Sequence, residues 1–218
     1  PLETKQLLAP PRFCVFEHLY FARPDSLVEG RSPYVDRQAL GRELAREASL
    51  KEGIVVPVPD SGVPAGWGYA QELGLQYEPF GLVRSHFIGR TFIDPEEAAR
   101  GLKVRLKLNP VRRAIEGKVV ILVDDSIVRG NTSRHIIAMV RDAGALEVHM
   151  RVACPPTTHS CYDGIDTPVR SKLLAAHRSI DEMCELIGAD SLAYLSRQGM
   201  YRALGVEEKD GEAPFCDA

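Results

Sequence analysis

KVVILVDDSIVRGNTS, residues 118–133, is the stretch that decides the fold. Five consecutive apolar residues at 119–123, four of them β-branched, predict a central parallel strand covered on both faces. That strand ends on Asp124 and Asp125, where an α/β sheet presents groups to ligands. A short polar turn over 126–132 contains Gly130 and leads into an amphipathic helix. Ile136, Met139, Val140 and Ala143 fall at i, i+3, i+4 and i+7 and form its buried face. Gly144 is its expected stop.

A turn rich in Gly, Ser and Thr at a helix start aims unpaired backbone N–H groups outward, here from about Arg129 through Gly130 and Asn131 to Ser133. The helix dipole adds partial positive charge at that point. The stretch is therefore a predicted anion cradle, with the hydroxyls of Ser126, Thr132 and Ser133 as further donors and Arg129 as a countercharge. Asp124 and Asp125 suit sugar hydroxyls or Mg²⁺, which is commonly held by one or two carboxylates plus phosphate oxygens. Read blandly, the same residues are a helix cap and a plain turn. No G-x-x-x-x-G-K-[ST] string occurs, which excludes a Walker-type phosphate loop.

The chain is 218 residues long, enough for one sizeable α/β domain, with 44% hydrophobic and 26% charged residues. No apolar run reaches the length of a membrane span and no signal peptide opens the chain, so a cytoplasmic protein without a membrane partner is expected. The net charge of −3 gives no case for nucleic acid. Its distribution is uneven: residues 84–118 carry nine Lys/Arg against four Asp/Glu, so the remainder is acidic. A basic segment on an acidic body points to a small anionic ligand, or to nothing more than a solvated basic loop. Five cysteines without a C-x-x-C pair argue against a secreted disulfide framework.

Taken in order, residues 14–21 (CVFEHLYF) read as a strand and 22–26 as a turn. A helix is expected from Pro33, with Ser32 as its N-cap. Residues 54–58 repeat the β-branched pattern and end on Pro59, Asp60, Ser61 and Gly62, where successive amides can form a second anion nest or a simple β-turn. A helix over 64–73 follows. Residues 84–117 lack a sustained buried face and read as a long mobile lid, able to bring positive charge over a bound diphosphate. Beyond the central helix come a strand at 148–153, helices near 170–177 and 180–187, a short edge strand at 192–195 and a last helical turn at 198–204. The tail, 205–218, reads as acidic and poorly packed.

The 118–133 string resembles the phosphoribosyl pyrophosphate (PRPP) signature of type I phosphoribosyltransferases: hydrophobic residues, two acidic residues, then a turn ending in Gly-x-Thr-Ser. With CVFEHLYFARPDS (14–26), PVPDSG (57–62), GRTFI (89–93), KLNP (107–110), YDGID (162–166) and IGADSLAYLS (187–196), the chain resembles the glutamine PRPP amidotransferase family from about residue 12 onward. The resemblance implies a type I phosphoribosyltransferase fold, a mainly parallel central sheet flanked by helices with a flexible lid loop. It also implies the committed step of de novo purine synthesis, in which PRPP and ammonia drawn from glutamine give 5-phosphoribosylamine and pyrophosphate. The family's N-terminal glutaminase domain is not in this sequence, which opens on Pro1, and Cys14 lies within a predicted strand. The expectation is thus a synthase part that uses free ammonia.

Carried onto this sequence, the resemblance puts the 5-phosphate on Arg129, Gly130, Asn131, Thr132 and Ser133. Asp124 and Asp125 would meet the ribose hydroxyls and Mg²⁺. Pyrophosphate would lie on Asp60, Ser61 and Gly62, with Arg90 and Lys107 joining from the lid as catalytic groups. Purine nucleotides are the implied inhibitors and a homo-oligomer the implied assembly. Many members carry serine where Gly62 stands, and tyrosine where Phe87 stands. Cys14, Cys161 and Cys216 match three of the four ligands of an iron–sulfur cluster (4Fe-4S) found in some members; the fourth would lie beyond Ala218. Cys154 and Cys184 read as core residues. Two other classes stand against this reading. A salvage phosphoribosyltransferase would need a hood for a base, and a PRPP-sensing regulator would bring a basic DNA-binding module.

Overall fold

The computed structural model describes residues 12–84, 108–161, 164–165, 167–207 and 215–217. The expected α/β architecture is present. A five-stranded parallel sheet has the order β3-β2-β6-β7-β8, built from β2 (Ile54–Pro57), β3 (Gln76–Tyr77), β6 (Val119–Asp124), β7 (Glu147–Val152) and β8 (Ser191–Tyr194). Every residue of β2 and all but the first of β6 are buried. Continuous apolar runs, rather than alternating ones, are what a strand covered on both faces requires. The edge strand β8 alternates buried and half-buried residues instead.

Helices supply the two covers. From β2 the chain passes through α2 (Val63–Leu73) to β3 on one side, and from β6 through α4 (Asn131–Asp142) to β7 on the other. Right-handed crossovers in opposite directions put α2 and α4 on opposite faces. With α2 pack α1 (Pro33–Glu47) and, against α1, α6 (Arg197–Ala203); with α4 packs α5 (Ile180–Ile187). Ile136, Met139, Val140 and Ala143 are all buried, as their spacing predicts, and Ile137 joins them. Ser32 is the N-cap of α1 but makes no side-chain cap bond there.

Four stretches differ from the sequence reading. Only Phe13–Cys14 of the expected first strand is extended (β1); Glu17–Phe21 is a π-helical turn. That turn buries His18 and Leu19 and leaves Tyr20 and Phe21 about half exposed, which a strand's strict alternation could not do. Within 84–117, Leu108–Pro110 is a strand (β5) paired antiparallel with β4 (Leu82–Arg84), and Arg112–Ile115 forms the helical turn α3. Leu82, Leu108 and Ile115 are buried there, so this ribbon has the core face that the sequence did not reveal. The expected helix near 170–177 is two single 3₁₀ turns, Arg170–Lys172 and Leu174–Ala176. In the tail, Phe215–Cys216 (β9) pairs in parallel with β1, and Phe215 is buried against the His18 ring.

Candidate functional site

A cleft of about 1040 Å³ opens at the carboxyl ends of β2 and β6. These are the adjacent strands from which the chain departs in opposite directions, the switch point where open α/β sheets bind ligands. Of the residues expected at the site, Asp60, Ser61, Asp124, Asp125, Ser126, Arg129, Gly130, Asn131, Thr132 and Ser133 all line this one cleft. Gly62 lies behind the lining. A Cβ there would stand 2.3 Å from the Val123 carbonyl oxygen, so the close approach of the loop to β6 sets the glycine. Arg90, Lys107 and Phe87 lie outside the described residues.

Asp124 ends β6 and Asp125 follows it, and both are buried. The Asp125 amide donates to Asp124 Oδ1 at 2.9 Å, and the Ser126 hydroxyl donates to Asp125 Oδ2 at 2.7 Å. Ser61 Oγ, from the loop after β2, lies 3.5 Å from Asp124 Oδ1 and so links the two loops. Burial first, and then the neighbouring Asp125 charge, push the Asp124 carboxyl well above the usual carboxylate range. No ion pair to a Lys or Arg reaches either carboxylate among the described residues. Two crowded acids beside an anion loop are a donor set that fits Mg²⁺ completed by phosphate oxygens. They equally fit a pair of sugar hydroxyls.

The helix after the polar turn starts at Asn131, within the stretch where its first turn was expected. Gly130 is the N-cap of α4, at φ +76° and ψ −12°, without a side-chain cap. The first intrahelical bond runs from the Arg134 amide to the Gly130 carbonyl at 2.9 Å. The amides of Asn131, Thr132 and Ser133 therefore have no intrahelical acceptor. Ile127, buried, anchors the turn, while the Val128 carbonyl accepts from the Leu174 amide at 2.9 Å. Arg129, Asn131 and Thr132 remain exposed at the mouth.

Facing the cradle is a wall the sequence reading missed. Phe16, Tyr20 and Phe21 line the cleft from the π-helical turn, and Ile165, Thr167 and Pro168 line another part. Arg84, at the end of β4, also faces inward and pairs with Asp60, Nη1 to Oδ2 at 2.8 Å. Its local sequence carries no motif; only the basic bias of 84–118 hinted at it. Cys154, buried beside the acids, has a thiol pushed up by burial and then by Asp125 and Asp124. Cys154 is in the core and Cys184 packs half-buried against it, as expected.

The three cluster-type cysteines are brought only partly together. Cys14 and Cys216 are register partners on β1 and β9. Cys161 sits in a separate loop, its amide bonded to the Thr167 hydroxyl at 2.7 Å. Among the described residues no group of three His, Cys, Asp or Glu side chains could hold a metal. Among the same residues no helix is long and apolar enough to cross a membrane.

No protein-family model matches the chain. It is 52% identical over 210 residues to the amidophosphoribosyltransferase of Rhizobium etli and 49% identical over 208 residues to that of Synechococcus elongatus. Each alignment covers 95% of this chain but only 42% and 41% of the relative. The chain thus spans less than half the length of these relatives. Among solved structures, glutamine PRPP amidotransferase from Bacillus subtilis, complexed with ADP and GMP, superposes with a TM-score of 0.86 at 43% identity. That match covers 96% of this chain and 46% of the other.

Proposed function

We propose, on the premise that this chain shares ancestry over nearly all its length with under half of an amidophosphoribosyltransferase, that it is the phosphoribosyl-transferring part of such an enzyme. Its reaction is attack of ammonia on C1 of PRPP, giving 5-phosphoribosylamine and pyrophosphate, the first step of purine biosynthesis. The observation that carries this reading is the buried Asp124–Asp125 pair set directly before an uncapped helix start, in one cleft with the Asp60–Ser61 loop.

In this reading the free amides of Asn131, Thr132 and Ser133 and the Arg129 charge hold the 5-phosphate. Asp124 and Asp125 accept hydrogen bonds from the ribose hydroxyls and orient C1. The Asp60–Gly62 loop and Arg84 receive the departing diphosphate, with Arg90 and Lys107 assigned to it by the family resemblance alone. Charge develops on the leaving group, so the electrostatic task lies there. Mg²⁺, when bound, supplies Lewis-acid stabilisation of the diphosphate oxygens, and Asp124 and Asp125 are the residues that would hold it. Ammonia is itself a nucleophile, and no general base is assigned.

The B. subtilis neighbour was solved with ADP and GMP, which supports purine nucleotides as ligands. Glutamine use would require a glutaminase partner outside these residues. A homo-oligomer and a cytoplasmic location belong to the same proposal. Pyrophosphate release from PRPP and Mg²⁺, compared with ammonium, glutamine and no amine, tests it. Release with ammonium is expected; none under any condition, in a sample that also fails to bind PRPP, overturns the reading.

A further inference from the structure

We propose that His135 is a further anion-binding residue of the cleft: its ring Nε2 meets the phosphate held at the start of α4, through a contact that exists only when the imidazole is protonated. The proposal rests on the phosphate-binding reading of that helix start.

His135 lies one turn into α4, half-buried, and lines the cleft together with Asn131, Thr132 and Ser133. Helical side chains lean back toward the N-terminus, so a residue at this position covers the turn that carries the free amides. The ring is held there, with Nδ1 2.6 Å from the Asn131 carbonyl oxygen. A carbonyl only accepts, so Nδ1 carries a hydrogen and Nε2 is the nitrogen that gains or loses one. Nε2 has no hydrogen-bond partner among the described residues. Neutral, it presents a lone pair, which repels the oxygens of an anion. Protonated, it presents a charged N–H, the stronger kind of donor to phosphate.

The charges around the ring decide how such a contact can be read. In the cleft stand Asp124 and Asp125, Arg129 of the same turn, and Arg84, which already pairs with Asp60 at 2.8 Å. Behind Gly130 the 3₁₀ turns bring Arg170, Lys172 and His177. Packed against α4, α5 carries Asp181, Glu182 and Glu185, and β7 carries Glu147, His149 and Arg151. The remaining neighbour, β5, has no titratable side chain, and on α4 itself Arg134 adjoins the ring. Among the described residues none of these forms an ion pair with His135. Asp124, whose carboxyl burial holds well above the usual carboxylate range, also loses negative charge as pH falls. An anion gains from that too, so the contribution of His135 is a difference between two chains.

The test uses the whole chain and inorganic sulfate, a tetrahedral dianion that only accepts hydrogen bonds and keeps its charge over the range in which histidine titrates. Sulfate is titrated without metal at about pH 5.5 and about pH 8, either side of the histidine range. Protein-observed NMR at the amides of Asn131–Ser133 reads binding to wild type, His135→Gln and His135→Arg. One charge-assisted hydrogen bond at a half-buried site predicts that wild type binds about five- to tenfold more tightly than His135→Gln at the lower pH. At the higher pH, where both side chains are neutral, the two should agree within about twofold. His135→Arg, always charged, should bind more tightly than wild type at the higher pH. A wild-type to His135→Gln ratio that is the same at both pH values would mean that the residue only braces the helix start, and would overturn the proposal while leaving the cradle in place. Sulfate bound by none of the chains at either pH would overturn the reading of the helix start, and His135 with it.

Discussion

At the scale of single residues, the carboxylate pair is the sharpest place to test the site. Asp124→Asn or Asp125→Asn removes a buried acceptor between loops and should weaken PRPP·Mg²⁺ binding or turnover at least tenfold, a loss of about 1.4 kcal/mol or more. Cys184→Ala, at a half-buried thiol packed on the core, should leave both within about twofold; equal effects in a binding titration would remove the pair from the site. Gly130→Ala is the second test. At φ +76° an L-residue is strained by roughly 1–2 kcal/mol, and its Cβ would stand 2.8 Å from Leu174 Cδ2. Urea denaturation should show that loss, and PRPP affinity should fall with it. These residues were legible because carboxylates, glycine and hydroxyls lie within ten positions of one another, so local spacing encodes their geometry. Arg84 and the Phe16–Phe21 wall were not legible: Arg84 pairs with Asp60 and the wall turn is held at Asp36, partners on other elements, and periodicity carries no such information.

At the scale of elements, the long strands and helices follow from period and burial, and the short ones do not. CVFEHLYF has the aromatic and β-branched composition of a strand, yet it turns after Cys14 because His18 is held at Asp36, Nδ1 to Oδ2 at 2.8 Å, and Arg37 collects the turn's carbonyls. Tertiary partners override local preference there. The junction of α1 with α6 offers a pH-dependent test. Glu47, at the end of α1, accepts from the Ser196 amide at 2.7 Å and the Ser196 hydroxyl at 2.6 Å, and from Arg202 at 2.6 Å. Burial opposes the charge, but the Ser196 and Arg202 bonds outweigh it and hold the carboxyl below its ordinary 4.5. A depressed acid stabilises the fold fully above its unfolded value and loses that contribution as pH falls through the folded one. Thermal unfolding of wild type should therefore weaken below about pH 4.5 more steeply than that of Glu47→Gln. Identical slopes would mean that the junction carries no such linkage.

At the scale of the whole molecule, the two ends of the described chain meet. The Val15 amide donates to the Cys216 carbonyl at 3.1 Å, Phe215 packs on His18, and Asp217 accepts from Arg197 at 2.6 Å and from Tyr201. Removing residues 215–218 deletes the buried Phe215 and uncovers the neighbours it covers, and should cost about 2–3 kcal/mol in chemical denaturation. An unchanged midpoint would return the segment to the loose tail that its acidic sequence resembles. The sheet itself has a wider consequence. The two cleft loops to which the proposed reaction assigns the phosphate groups leave β2 and β6, which are hydrogen-bonded neighbours in fixed register, Val56 opposite Leu122 and Pro57 opposite Val123. Their separation is therefore a property of the ladder, not of either loop. A slip of one residue would move one loop by about 3.3 Å and turn every buried side chain of that strand to the opposite face. Under the proposed reaction the sheet would act as a ruler for the distance between the two charged ends of the substrate. Loop substitutions can retune grip and chemistry at either end, while the span between them stays as rigid as the core.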